Sequence, residues 1–295
     1  MGYLFLTVAL LSGATKGFCG KRISGYTENT QSSVLLNLYR MILCIVLSFL
    51  LIVAIGDISY ISPNGNSILL SAISGISTSF FVVTWLLSVR KSAYMMIDVF
   101  LMLGTLVPIV LGYFLFSEPI TLRQVLGYIL LVVAVIIMCS YNNTIKSKHT
   151  ASSILLLIAC GASNGITSTS QKAFVKSFPD IPISIFNLYT YVFAAVTLAV
   201  FFLIRAKKEK LRFSGGGSKM TYVYILIMAI ALTANSYFST HSSAYLDSAK
   251  LYPLQQGAGL ILSTFMATLF FKEKLKLRAV VGIILAFASL MIINL

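Results

Sequence analysis

Three charged side chains lie inside long apolar stretches of this 295-residue chain: Lys16, Arg40 and Asp98. Charge is costly in hydrocarbon, so an intramembrane ion either pairs with another or binds a charged solute. Lys16 lies about 7.5 Å of helix rise inside Lys21, and Asp98 about 10 Å inside Lys91. With Asn37 they occupy helix ends that share one leaflet. Two cations and one anion leave a net positive charge there, which favours an anionic or zwitterionic solute over a cationic one. The alternatives are structural: a buried salt bridge, or for Lys16 a side chain that snorkels to the interface.

The second half of the chain carries milder polar groups in equivalent stretches: Asn164, Asn187, Tyr189, Asn235 and Gln256, with Tyr237, His241 and Gln255 nearby. Lys16, Asn37, Arg40, Asp98, Asn164, Asn187, Tyr189, Asn235 and Gln256 are the candidate substrate-binding residues. For each, an interhelical hydrogen bond is the competing role. Gly13/Gly17 and Gly161/Gly165 fall four apart on one helix face, a small-xxx-small packing pattern. Gly161-Ala-Ser163-Asn-Gly165 also spells G-x-S-x-G, and with His241 it gives a low-ranking reading as an intramembrane hydrolase. That pattern needs only small residues, and Thr15 replaces the serine in its repeat copy, so no enzyme activity is expected. There is no phosphate-loop motif. The four cysteines show no metal-ligand spacing, so neither a metal nor a cofactor is expected.

Hydrophobic residues make up 58% of the chain and charged residues 10%, with a mean hydropathy of +0.93. A soluble domain carries about 25% charged residues, so this is a membrane protein. Ten apolar stretches are long enough to span a bilayer, at roughly 3–24, 32–55, 66–87, 93–115, 122–140, 152–175, 182–204, 220–242, 251–271 and 277–294. The net charge of +14 invites a nucleic-acid reading, but its distribution opposes one. Sixteen Lys and Arg fall in the odd-numbered connections and four in the even-numbered ones. That is the positive-inside signature, and it puts the odd connections in the cytoplasm and both termini outside. The longest connection, Arg205 to Lys219, contains Gly215-Gly216-Gly217 and reads as a flexible tether. Trp85 and Tyr94 read as interfacial belt residues. Pro108 reads as a kink in the fourth span, and Pro253 as the opening of the ninth.

The chain also repeats itself. Gly104, Phe116, Glu118, Leu122, Arg123 and Gly127 recur at one offset as Gly259, Phe271, Glu273, Leu277, Arg278 and Gly282. Gly13-Ala-Thr-Lys16-Gly17 matches Gly161-Ala-Ser-Asn164-Gly165, and Asn37-Leu-Tyr39 matches Asn187-Leu-Tyr189. Glu118 and Glu273 read as interfacial turns whose carboxylates sit near the N-terminus of the next helix, or else as proton sites or gates. Each half holds five spans. Because five is odd, the copies enter the membrane from opposite sides. The expected fold is an all-α membrane protein of ten transmembrane helices in two inverted five-helix repeats, residues 1–145 and 146–295.

On these repeated motifs the chain resembles the drug/metabolite transporter superfamily, and its EamA-type members most. The resemblance implies a central cavity lined by the first, third and fourth helices of each half, with the fifth as scaffold. It implies a secondary transporter that moves a small polar, anionic or zwitterionic, metabolite by rocking one half against the other. A flippase for lipid-linked sugars or phospholipids is the alternative. The expected partners are a small-molecule substrate and the lipid bilayer, with no nucleic acid. A homodimer is compatible with the sequence, and the expected location is the cell membrane, multi-pass.

Overall fold

Inside a bilayer no water is present to satisfy backbone N–H and C=O groups, so an apolar chain of this kind must satisfy them within its own helices. The computed structural model describes residues 1–62, 65–91, 94–142, 151–206, 210–212, 219–272 and 277–294. Among these residues the chain forms eleven α-helices, one 3-10 turn and no β-strand. The first half holds α1 (Gly2–Ser24), α2 (Thr30–Ile55), the 3-10 turn Asp57–Tyr60, α3 (Gly65–Lys91), α4 (Tyr94–Gly104), α5 (Leu106–Phe116) and α6 (Leu122–Asn142). The second holds α7 (Ala151–Ser177), α8 (Ile183–Ala206), α9 (Lys219–Tyr245), α10 (Ser248–Leu269) and α11 (Leu277–Asn294). Five of them, α1, α2, α3, α8 and α9, are long and apolar enough to cross a membrane by themselves. Large apolar side chains such as Phe49, Leu203 and Phe265 cover the outer surface. Gly215–Gly217, Glu273 and Leu295 lie outside the described residues.

The ten expected spans are present, with the fourth divided into α4 and α5 at Thr105. Pro108 explains the division: it has no N–H to give the carbonyl of Gly104, four residues back. At the break the Thr105 hydroxyl donates to the Met102 carbonyl at 2.6 Å. The ninth span differs from expectation. Pro253 does not open it, because α10 begins at Ser248 and runs through the proline. The carbonyl that Pro253 leaves unpaired belongs to Ala249. The Tyr128 hydroxyl of α6 donates to it at 3.4 Å, so a side chain replaces the missing backbone donor.

The halves interlock. α1 packs along α9 as α3 packs along α7; α4 packs on α7 as α10 packs on α1. α2 faces α8, and α6 faces α11. Exchanging each first-half helix with its repeat copy returns the same set of pairs, as expected of two inverted repeats related by a pseudo-twofold axis. At the α4–α7 crossing the two backbones touch. A Cβ on Gly104 or on Gly165 would strike the backbone of the other helix, and one on Gly161 would sit 2.5 Å from the Phe100 carbonyl oxygen. This is small-residue packing, which lipid favours because apolar side chains gain nothing there by leaving it. Trp85, expected at the interface, is 5% exposed. α3 continues to Lys91, so the indole is six residues inside, and its ring lies where a side chain on Gly20 would be.

Among the described residues, one ion pair joins the halves, between the α5–α6 connection and the last turns of α7. Glu118 lies in the α5–α6 connection, but its carboxylate does not cap α6. It reaches the N-terminus of α10, where the Ser248 N–H donates to it at 2.9 Å. Lys172 of α7 meets its other oxygen at 2.5 Å and donates to the Leu246 carbonyl at 2.9 Å. Burial alone would raise the Glu118 pKa, but hydrogen bonds from Lys172 and Ser248 outweigh it and hold the group below the ordinary carboxylate value. The stabilisation is therefore complete at neutral pH and disappears only as pH falls through that depressed value. We expect Glu118→Gln to cost about 3–5 kcal/mol, because it strands a buried ammonium. Glu118→Gln/Lys172→Met should recover much of that loss, as read by thermal unfolding in detergent. An unchanged Tm in the single variant would show that the pair does not hold the halves together.

The repeat-related glycines Gly104 and Gly259 should respond differently. Nothing lies within 4 Å of a Cβ on Gly259. Gly104→Ala should therefore lower stability by at least about 2 kcal/mol through overpacking, and Gly259→Ala should leave the folded yield unchanged. Equal losses in a detergent stability assay would refute the backbone contact.

Candidate functional site

A cavity of about 100 Å³ lies at mid-depth between the halves. Its walls come from α1, α3 and α4 in the first half and from α7, α9 and α10 in the second. These are the first, third and fourth spans of each repeat. α6 and α11 pair outside it. Asn164 is the central residue of α7, and Gly13 that of α1.

The α1 wall is Ala9, Leu10, Gly13, Ala14, Lys16 and Gly17, one helix face two residues wide. Its glycines let neighbours come close: an atom added at Gly13 would touch the Asn235 amide at 3.2 Å. That amide donates to the Ala9 carbonyl at 2.7 Å, which ties α9 to α1. Lys16 places its ammonium 5.5 Å from the centre of the Phe81 ring of α3, a cation–π contact. Asp98 enters from α4 with Ser263 of α10 beside its carboxylate. Its Oδ2 atom is buried and has no hydrogen-bond partner. Lys16 and Asp98 share the cavity without closing to ion-pair distance; the described ion pair is Lys172–Glu118. Gln255 exchanges hydrogen bonds with Ser239 at 3.1 and 3.3 Å. The amides of Asn164 and Gln256 have no such tie among the described residues.

The fold therefore gathers Lys16, Asp98, Asn164, Asn235 and Gln256 in one place. It puts the other four sequence candidates elsewhere, in packing contacts. Asn37 is fully buried and donates to the Ser33 and Val82 carbonyls, tying α2 to α3. Asn187 accepts from Ser236, which in turn accepts from Gln171. The Tyr189 hydroxyl donates to the Ile61 carbonyl at 2.6 Å. Arg40 is 2% exposed and lies outside the cavity wall, behind it on α2. Among the described residues Lys16 and Asp98 bring formal charge to the wall itself, and the Arg40 cation is near enough to Lys16 to interact with it.

Sequence reasoning missed Phe81, Trp85, Gly259 and Ser263 as wall residues, and it noted Gln255 without counting it among the binding candidates. For α10 a signal existed: Gln256, Gly259 and Ser263 fall on one face at spacings of three and four. For Trp85 there was none, because its depth depends on how far α3 extends. The hydrolase reading gains no support. Ser163 lies near the centre of α7, while His241 sits near the end of α9 with its ring against Phe5 and Tyr237. Among the described residues no three His, Cys, Asp or Glu side chains converge as metal ligands.

Comparison with known proteins agrees with this geometry. A solved crystal structure of a protein superposes with a TM-score of 0.71 over 99% of this chain and 95% of that one, at 13% sequence identity. At that identity the likeness concerns the fold. No curated protein sequence matches. Residues 151–295 match the EamA-like transporter family. Residues 151–295 are thus a domain of the EamA-like transporter family, and with its long apolar helices the chain is an integral membrane protein.

Proposed function

We propose that this protein is a secondary transporter that carries a small zwitterionic or anionic metabolite through the central cavity by alternating access. The observation that carries this reading is the buried, unpartnered Oδ2 of Asp98, in the same cavity as the Lys16 ammonium. A polar group buried without a partner is costly, and a carboxylate more so. A solute that brings its own ammonium to Asp98 and its own carboxylate to Lys16 satisfies both. The free amides of Asn164 and Gln256 supply neutral hydrogen bonds beside them, and Phe81 and Trp85 supply an apolar wall.

Residues 1–145 and 146–295 are the two repeats, but the moving bodies in this reading are not the repeats themselves. α1, α9 and α10 form one wall of the cavity, and α3, α4 and α7 the other. Each wall mixes helices from both halves, which pack on each other across the repeat boundary. Rocking these two mixed bundles about the scaffold pair α6–α11 opens the cavity to each side in turn. The cell membrane is the proposed location, and the odd-numbered connections face the cytoplasm.

Lys16→Met is expected to abolish uptake into proteoliposomes while the folded yield stays intact. Asp98→Asn should weaken zwitterion binding about 10–100-fold, the worth of one hydrogen bond to a charged group. The substrate comes from a thermal-shift panel of amino acids, other zwitterions, sugars and phosphorylated metabolites. A true ligand stabilises by about 2.7 kcal/mol at a hundredfold excess over Kd. Full transport by Lys16→Met/Asp98→Asn would reduce the pair to a structural role and overturn the reading. A reporter active only in the cytoplasm, fused after Leu295, is expected to stay silent; a signal there would reverse the orientation.

A further inference from the structure

A second concavity lies on the outside of the bundle, away from the central cavity. It is a groove of about 370 Å³ between α3 and α8. Its walls are apolar: Phe80, Val83 and Leu87 on α3, and Val200, Phe201 and Ile204 on α8. On α3 these positions recur at three and four, and on α8 Val200 and Ile204 are four apart with Phe201 beside them, so each helix presents one continuous face. The groove opens outward to lipid, since Phe80, Val200 and Ile204 are 55%, 52% and 58% exposed. From Thr197 to Ile204 it follows α8 for about 10 Å of rise, along the direction a lipid chain takes.

One end of the groove is polar and basic. Thr30 and Arg205 close it, and Arg205 stands 5.5 Å over the Phe201 ring. The segment Lys210–Arg212 is fixed beside this end. Asn29 donates to the Lys210 carbonyl at 2.7 Å, and the Arg212 N–H donates to the Ser32 hydroxyl at 2.8 Å. The backbone is held at the start of α2, next to Thr30, while the Lys210 and Arg212 side chains remain exposed. Among the described residues Glu28 is an acid here, and its N–H donates to the Arg212 carbonyl at 3.3 Å. In sequence the stretch 205–212 carries five Lys or Arg against one Glu, so this end is basic.

We propose that this groove holds one anionic phospholipid, its acyl chain between α3 and α8 and its phosphate at Arg205, Lys210 and Arg212. An acyl chain fits an apolar slot open to the bilayer. Only an anionic headgroup complements the charge at the polar end, and juxtamembrane basic clusters attract such lipids. The site is separate from the transport cavity, and no cavity residue belongs to it.

The test is native mass spectrometry of the full chain, purified in detergent and titrated with dioleoylphosphatidylglycerol or dioleoylphosphatidylcholine. The wild type should retain the anionic lipid at least tenfold better. Arg205→Gln/Lys210→Gln/Arg212→Gln should bring that preference within twofold and leave retention of the neutral lipid unchanged. Val200→Trp fills the groove from an exposed position, does not disturb the core, and should lower retention of both lipids about tenfold. It decides the matter by itself if the triple variant folds poorly. Equal retention of the two lipids by the wild type would overturn the proposal, as would unaltered retention in Val200→Trp. Disulfide crosslinks between two chains through Val200→Cys would also overturn it, by seating a second copy in the groove.

Discussion

The contact on which the rest depends is the crossing of α4 over α7, where Gly104, Gly161 and Gly165 let two backbones touch. In water a helix pair gains from hiding apolar side chains, but in lipid that gain is absent, and close packing has to supply the cohesion. This crossing brings Asp98 of α4 and Asn164 of α7 to the same wall of the cavity. The break at Thr105 belongs to the same arrangement. Pro108 cannot complete the helix at Gly104, and the Gly104 carbonyl lies against α7.

Charge is handled in two ways within the one chain. At the membrane edge, Glu118 and Lys172 meet directly and take their remaining hydrogen bonds from the α9–α10 connection, so the pair is satisfied and ties one half to the other. In the cavity, Lys16 and Asp98 stay apart, one against an aromatic ring and the other with an unpartnered oxygen. A satisfied pair holds structure together, whereas a separated pair leaves binding capacity for something that arrives. The two arrangements use the same kinds of residue, and only their geometry tells them apart.

The interlock of the halves bears on how motion divides the molecule. Sequence symmetry suggests two repeats moving as units. The packing instead couples α1 to α9 and α3 to α7, so the first span of each repeat belongs physically to the other repeat's side. An inverted duplication of this kind makes two structurally equivalent walls from mixed parts, and a cavity between equivalent walls has no preferred face by symmetry. Departures from the symmetry, such as Lys16 opposite Asn164, are where the chemistry becomes specific.

The fold class and the repeats were legible in the sequence because they rest on local or periodic signals: apolar length, charge distribution and motifs that recur at one offset. Other features depended on partners that only the tertiary structure supplies. Asn37, Asn187 and Tyr189 resemble Asn164 and Gln256 in type, yet they turn to the Val82 carbonyl, Ser236 and the Ile61 carbonyl on other elements. Trp85 left the interface because α3 runs on to Lys91, and Glu118 caps α10, a helix 130 residues away in sequence. The sequence determines which polar groups enter the membrane, because composition and periodicity are written along the chain. Which of them bind each other and which remain free is decided by helix rotation and crossing, and those are set by contacts between residues far apart in the chain.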